Sequence, residues 1–297
     1  MADFMTGMFP VQLINGVFIA MGIYMVAAGL ALVFGVLGIL NFAHGSLYMY
    51  GAFFVFTYTG YMAGNFWLAL LIAPMAVVLI GIGMEITFLR PIYKADPLYQ
   101  LLLTYGLVLI FGDLVKLIWG AENQSVARPE GFEGTMEIFG QLFPSYQVFV
   151  LVPIGIVTII GLYLFLNKTP IGRLVRAATQ DREMIGALGV NVRLLYTGVF
   201  ALGAFLGGLG GAVLAPMGAL YPGMDFEVII EVFLVVVLGG LGSMAGTALG
   251  ALIYGELKSF GILFVPELES LFIYILMAVV LVARPQGLLG KKVEGGH

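Results

Sequence analysis

Residues 11–35 read VQLINGVFIAMGIYMVAAGLALVFG, a stretch without a single charged side chain. A helix needs about 20 mostly apolar residues to cross the hydrocarbon core of a bilayer, and this stretch is longer than that. Its apolar residues run continuously instead of alternating, which argues against a membrane β-strand. Residues 11–35 therefore predict a transmembrane helix.

Similar apolar stretches recur along the chain. Of its 297 residues 61% are hydrophobic and only 10% are charged, whereas soluble domains carry about 25% charged residues. Glycine is frequent, at 42 residues, and small residues allow helices to pack closely in a bilayer. We predict an all-α polytopic membrane protein, a bundle of about 8–10 transmembrane helices with glycine-broken segments. Residues 1–297 would form a single transmembrane domain. The further candidate spans are 46–62, 66–89, 98–119, 145–166, 194–216, 227–241, 245–262 and 268–283.

The distribution of basic residues predicts the orientation, because Lys and Arg accumulate on the cytoplasmic side. Segments 90–97 and 167–193 and the tail from Arg284 onward hold ten of the 13 basic residues. The loop at 120–144 carries four Glu and a single Arg. We therefore predict a cytoplasmic loop at about 167–193, an extracytoplasmic loop at about 120–144 and a cytoplasmic C-terminus.

The cytoplasmic loop has the signals of two short helices. Thr169 followed by proline predicts the start of the first helix, and Gly189 can end the second in the left-handed conformation. Asn191 can cap the next membrane helix. Two helices are more than a simple connection needs. The residues alone leave two interpretations open, a segment lying on anionic lipid or a docking element for a soluble partner.

The run RAATQDREMIGALGVNV, residues 176–192, resembles the coupling loop of LivH-like permease subunits of branched-chain amino-acid ABC importers. In that family a cytoplasmic coupling helix of this loop sits in a groove of the ATPase subunit. Further matches are spread over nearly the whole chain. They are GLALVFGVLGILNFAHGSLYMYGAF at 29–53, LLLTYGLVLIF at 101–111, VVVLGGLGSMAGTALGALIYGE at 235–256 and ARPQGLLG at 283–290.

The resemblance implies a set of partners and a location. These are a second homologous permease subunit, two ATP-binding subunits, an extracytoplasmic solute-binding protein, and the lipid of the cell inner (plasma) membrane. No cofactor is expected in this chain, because the partner subunits would use the ATP, and the sequence contains no GxxxxGK[ST] phosphate loop. The resemblance assigns ATPase coupling to Arg176, Ala177, Asp181, Glu183, Ala187, Gly189 and Val190.

The segment NFAHGS, residues 41–46, interrupts an apolar region. Irregular backbone at membrane depth is tolerated only where protein or water covers it, and transporters use such breaks to present polar groups to a substrate. The alternative is a short turn in which His44 has a structural role. The candidates for the translocation pathway are Asn41, His44, Ser46, Thr104 and Ser243.

Together these features predict a transport subunit that translocates branched-chain or other hydrophobic amino acids. The alternatives are an importer permease for urea, an amide, or an aromatic or organic acid, and a stand-alone secondary transporter or channel. An enzyme is not expected, because the chain has no cysteine and only two distant histidines, which also exclude a multi-histidine metal site. No nucleic-acid partner is expected. Two local ion pairs are predicted, Asp113 with Lys116 and Glu85 with Arg90.

Overall fold

The computed structural model describes residues 8–62, 64–180, 182–264, 266, 269–284 and 286–290. Helices dominate these residues, which confirms the predicted all-α fold. A two-stranded antiparallel hairpin, β1 (Thr135–Ile138) and β2 (Gln141–Pro144), is the exception in this part of the chain. The helices are α1 (Phe9–Leu37), α2 (His44–Phe56), α3 (Phe66–Met84), α4 (Pro97–Trp119), α5 (Val152–Lys168), α6 (Pro170–Ala178), α7 (Arg182–Ala187), α8 (Val192–Leu214), α9 (Met224–Gly239), α10 (Met244–Phe264) and α11 (Glu269–Ala283).

Six helical segments within the described residues are long and apolar enough to cross a membrane. Three shorter helices, α2, α9 and α11, accompany them, so the bundle agrees with the predicted polytopic architecture. The predicted span at 98–119 differs from α4 by one residue at its start. The six segments are Phe9–Leu37, Phe66–Ile92, Pro97–Trp119, Gln147–Lys168, Val192–Met217 and Met244–Phe264.

The centre of the bundle is formed by α1 and α8. Helix α1 lies against α8 and α10, and α8 also packs against α2 and α3. Backbones meet directly where α2 crosses α8, because a methyl group placed at Gly211 would overlap the carbonyl oxygen of Tyr48. Glycine permits this approach, which lets van der Waals contacts replace the hydrophobic driving force that is missing between helices in lipid.

Helix α2 begins halfway along α1. Gly38 ends α1 in the left-handed conformation, with φ of 69°, and residues 38–43 then run back along the bundle. His44, the first residue of α2, hydrogen-bonds to the carbonyl of Val26. Val26 lies eleven residues before Leu37, about 16 Å along the helix axis. The predicted break is therefore a re-entrant segment inside the bundle.

Helix α9 also begins inside the bundle and meets the start of α2. A methyl group at Gly45 would overlap the carbonyl oxygen of Asp225, in the first turn of α9. Asp225 lies about 21 Å along the axis from Gly239, where α9 ends. Two discontinuous helices thus direct their N-termini toward the same interior region.

The described parts of the three basic segments lie at one end of the bundle, with the tail described as far as Gly290. Arg90 hydrogen-bonds to Thr197 in the first turns of α8, Gly290 of the tail lies against Gly240, and Arg176 shares a cavity with Gly242. The loop at 120–144 lies at the other end of α5. It contains the hairpin, which the sequence analysis does not predict, and its turn residues Phe139 and Gly140 both have positive φ, as two-residue hairpin turns require.

Candidate functional site

His44 is fully buried where α1, α2 and α8 meet. Its Nε2 donates to the carbonyl of Val26 at 3.0 Å, which leaves Nδ1 as an acceptor. The ring fills a space that glycines leave open, since a Cβ at Gly29 would lie 2.9 Å from Cε1 and one at Gly207 would lie 3.3 Å from it. His44 therefore joins the start of α2 to the middle of α1.

Asn41 and His44 carry buried polar atoms without partners. Asn41 is 1% exposed, and among the described residues neither its Oδ1 and Nδ2 nor Nδ1 of His44 has a hydrogen-bond partner. Thr104 of α4 lies beside this segment, with its Oγ1 3.3 Å from the carbonyl oxygen of Leu40 and 3.1 Å from that of Leu101 in its own helix. Buried polar groups are normally paired, so the break offers free donors and acceptors inside an apolar bundle.

Ser46 connects the two discontinuous helices. Its Oγ donates to Oδ2 of Asp225 at 2.7 Å, and both side chains are buried. A carboxylate in the first turn of a helix is stabilised by the positive end of the helix dipole. Asp225 is not among the residues predicted from the sequence, although acidic residues are typical of the first turn of a helix and Glu227 follows it two positions later.

The segment before α9 is attached to the 120–144 loop and to the first turn of α9. Leu220 pairs with Gln124 of the 120–144 loop through two backbone hydrogen bonds of 2.8 Å. Tyr221 donates to Glu227 at 2.5 Å, and this hydrogen bond raises the pKa of Tyr221 to about 12. The hydrogen bond ties the segment to the first turn of α9.

Ser243 lies apart from the other pathway candidates. Its Oγ accepts from the backbone N–H of Gly246 at 3.1 Å at the start of α10. The adjacent Gly242 lies against Gly35, which is about 13 Å along α1 from Val26. The structure thus brings Asn41, His44, Ser46 and Thr104 to one break and gives Ser243 a capping contact elsewhere.

The loop at 167–193 has the predicted local structure. Thr169 caps α6 by accepting from the N–H of Gly172 at 2.9 Å, and Asn191 caps α8 through Leu194. Gly189 has φ of 81° and follows α7. The N–H groups of Gly189 and Val190 bond to the carbonyls of Gly186 and Ile185, the pattern of a Schellman motif.

The outer face of this loop is exposed and largely apolar. Ala177, Ala187 and Gly189 are exposed, as are Met184 at 57% and Leu188 at 74%. Arg176 donates to Asn167 at 2.7 Å, and Val190 is half-buried. Asp181 and the side chain of Glu183 lie outside the described residues. The coupling role of this residue set stays a prediction.

Both predicted local ion pairs are present. Glu85 is fully buried and accepts two hydrogen bonds from Arg90, at 2.9 and 3.2 Å, as well as hydrogen bonds from Tyr93 and Thr197. Asp113 and Lys116 pair at 3.0 Å on an exposed face of α4. The buried network joins the end of α3 to the first turns of α8, next to the loop at 167–193.

Long apolar helices, two discontinuous helices meeting inside the bundle and an exposed helical loop at one end define a polytopic membrane protein built like a transporter subunit. The comparison with protein families gives a match over residues 12–281 to the family described as branched-chain amino acid transport system, permease component. The chain therefore belongs to this permease family. The comparison with solved structures gives no match.

Curated relatives cover nearly the whole chain. The branched-chain amino acid transport system permease protein BraD of Pseudomonas aeruginosa is 29% identical, over 94% of this chain and 95% of the relative. The permease protein LivH of Escherichia coli K12 is 27% identical with the same coverage. The permease protein LivM of that organism is 25% identical, over 88% of this chain and 66% of LivM.

Proposed function

We propose that this chain is the membrane-spanning permease subunit of an ATP-driven importer of branched-chain amino acids in the cell inner membrane. The observation that carries the proposal is the family match over residues 12–281, with relatives named for branched-chain amino acid transport. The chain itself would not hydrolyse ATP. Two partner subunits would bind ATP and an extracytoplasmic protein would deliver the solute.

A second, homologous permease subunit is proposed as the direct membrane partner. LivH and LivM are separate permease proteins of a branched-chain amino acid transport system in one organism, and both resemble this chain. Exposed apolar side chains on α4, such as Leu109, Ile110 and Leu117, provide surface for lipid or for such a partner. The complex would therefore contain two related but distinct membrane subunits.

The loop at 167–193 is proposed to dock an ATP-binding subunit on the cytoplasmic side, where the C-terminus would also lie. Three features support this role: the capped short helices α6 and α7, the exposed small residues Ala187 and Gly189, and the exposed Met184 and Leu188. Small residues permit close approach, and exposed apolar side chains supply the contact area that a binding groove needs. Movement of this loop would reach the bundle through the network of Glu85, Arg90 and Thr197.

Docking is tested by replacing Ala187 with Trp and purifying the chain with its partners in mild detergent. Ala187→Trp should remove the co-purifying ATPase activity and ATP-driven leucine uptake in proteoliposomes, while membrane insertion is retained. Gly134→Trp is the matched control, because Gly134 is exposed with open space around it at the opposite end of the molecule. Retained ATPase and normal uptake in Ala187→Trp would overturn the docking assignment.

The backbone at Gly189 allows a finer test. Gly189→Asn should retain ATPase binding better than Gly189→Val, because Asn tolerates the left-handed conformation and a β-branched residue does not. Leucine flux through the purified chain alone, without ATP, would instead support a stand-alone transporter or channel.

A further inference from the structure

A cavity of about 440 Å³ opens among α1, α9 and α10, in the half of the bundle near the 120–144 loop. Its volume lies in the range of about 300–1,000 Å³ that small-molecule sites occupy. Apolar side chains form most of its wall, among them Phe18, Ile19, Ile23 and Val228. Such a wall suits an aliphatic side chain.

A carboxylate in the wall of this cavity pairs with an ammonium group on the neighbouring helix. Glu231 lines it, and Glu231 Oε1 lies 2.6 Å from Nζ of Lys258 on α10. Their side chains are 33% and 25% exposed. Lys258 also lies over the ring of Tyr254, 5.6 Å from its centroid. Ionisable groups in a membrane bundle are costly and are functional candidates by default.

Neutral polar groups also line the cavity. Gln12, Asn15 and Tyr48 line the same cavity, and Gln12 accepts a hydrogen bond from Ser259 at 2.6 Å. Glu231 is the charged side chain among those that line the cavity, and the neighbouring Lys258 offsets it, so this ion pair adds no net charge to a mostly apolar cavity. A cationic or anionic solute would bring an uncompensated charge into it, which is unfavourable in surroundings of low dielectric constant.

We propose that this cavity binds the transported amino acid, with its ammonium group at Glu231, its carboxylate at Lys258 and its aliphatic side chain against Phe18, Ile19 and Ile23. This assignment rests on the proposed import function and adds the place and the chemistry of substrate binding. An amino acid zwitterion carries one ammonium and one carboxylate group. When it binds, two ion pairs replace the single pair of Glu231 and Lys258, and the net charge of the site does not change.

The position of the cavity fits a step before passage through the helix break. Val26 lines the cavity, and its carbonyl is the acceptor of His44. Tyr48, one turn beyond His44 on α2, forms another part of the wall. A bound amino acid would thus lie next to the start of α2, where Asn41 and His44 have polar atoms without partners among the described residues.

The alternative role of the pair is a structural clip between α9 and α10. The chain contains no cysteine, so Ile19→Cys places a single thiol of this chain in the cavity wall. The experiment measures the rate at which N-ethylmaleimide modifies this thiol in the purified complex, with and without leucine. Leucine should slow the reaction, whereas leucinamide, which lacks the carboxylate, and 4-methylpentanoate, which lacks the ammonium group, should not.

Variants of Glu231 and Lys258 then distinguish a role in substrate binding from a structural link between α9 and α10. Glu231→Gln should require about tenfold or more leucine for the same protection, because the carboxylate that would hold the ammonium group of leucine is lost. Exchange of the two charges, Glu231→Lys with Lys258→Glu, keeps the link between α9 and α10 but places each charge opposite the like-charged group of leucine. Protection should therefore not return. Asp113→Asn with Lys116→Gln is the matched control on an exposed face and should leave protection unchanged.

The outcomes distinguish the site from the function. ATP-driven leucine uptake without protection of Ile19→Cys, or equal protection by leucine and both analogues, would overturn the site and leave the importer proposal standing. Full protection by leucine in the charge-exchanged variant would show that the ion pair only links α9 to α10. A complex that neither imports leucine nor shows protection would overturn the proposed function itself.

Discussion

Helices α1 and α4 are similarly apolar in sequence, but α1 is mostly buried in the protein and α4 is mostly exposed. Their most apolar windows have mean hydropathies of 2.4 and 2.0, yet 78% of the window is buried in α1 and 22% in α4. In a bilayer both lipid and protein are apolar, so hydropathy identifies a spanning helix without revealing what it touches. Burial in this bundle follows the contacts of small residues instead.

The glycines of the two helices show the difference directly. A Cβ at Gly29 of α1 would lie 2.7 Å from the carbonyl oxygen of Gly203 and 2.9 Å from the His44 ring. In the part of the chain that the structure describes, no atom outside the local helix backbone lies within 4 Å of a Cβ at Gly106 or Gly112 of α4. The same residue type is thus needed for close helix contact in the centre and is replaceable at the periphery.

The largest expected contrast concerns the two local ion pairs. Glu85→Ala leaves Arg90, Tyr93 and Thr197 without their shared acceptor and should destabilise the protein by about 3 kcal/mol, since breaking a buried pair is costly. Asp113→Ala on the exposed face of α4 should change stability by less than about 1 kcal/mol. Thermal unfolding in detergent, followed by size-exclusion chromatography, measures both variants. Equal melting temperatures would show that the Glu85 network does not hold α3 to α8.

A second contrast uses one substitution in both helices. Gly29→Ala should destabilise by about 1–3 kcal/mol, because the added methyl group meets backbone that has no room to move. Gly106→Ala should be neutral or stabilising by up to about 1 kcal/mol, because alanine has the higher helix propensity. The same melting assay compares them. A stable Gly29→Ala variant would contradict the close contact of α1, α2 and α8.

The smallest expected effect concerns the point where α4 is attached to the centre. Nε1 of Trp119 donates to Oγ1 of Thr57 at 2.7 Å, and its ring packs on Phe53. Thr57→Val should cost about 1 kcal/mol, the usual contribution of one hydrogen bond, and should alter the fluorescence of Trp119. Thr59→Val, which removes only a bond within the same helical segment, serves as the control. Identical fluorescence in the two variants would argue against the attachment.

The sequence predicts the elements well because their signals are local. The apolar length of α4, the caps at Thr169 and Asn191 and the left-handed Gly189 each depend on a few neighbouring residues. The same is true of the pairs Glu85–Arg90 and Asp113–Lys116, which lie five and three residues apart. These predictions are confirmed, as is the break around Asn41 and His44.

The candidate site is only partly predictable. Asn41, His44 and Ser46 are recognised because polar residues stand out in an apolar stretch, but Asp225 is not, since its partner Ser46 lies 179 positions away. Lys258 and Glu231 are 27 positions apart, and the cavity beside them is lined by residues of five α-helices, α1, α2, α8, α9 and α10, and of two shorter helical turns. A pattern of neighbouring residues does not predict contacts between residues that are so far apart in the sequence.

Local chemistry in the sequence alone thus determined a helical membrane protein, the positions of its spans, the capped loop at 167–193 and, through resemblance, its family. Only the tertiary structure decided that residues 38–43 turn back into the bundle, that α2 and α9 begin at one interior point, and that α1 is central while α4 is peripheral. The physical reason is that lipid and protein interior offer an apolar helix nearly the same solvent. Close backbone contact and the pairing of distant polar groups therefore select the arrangement.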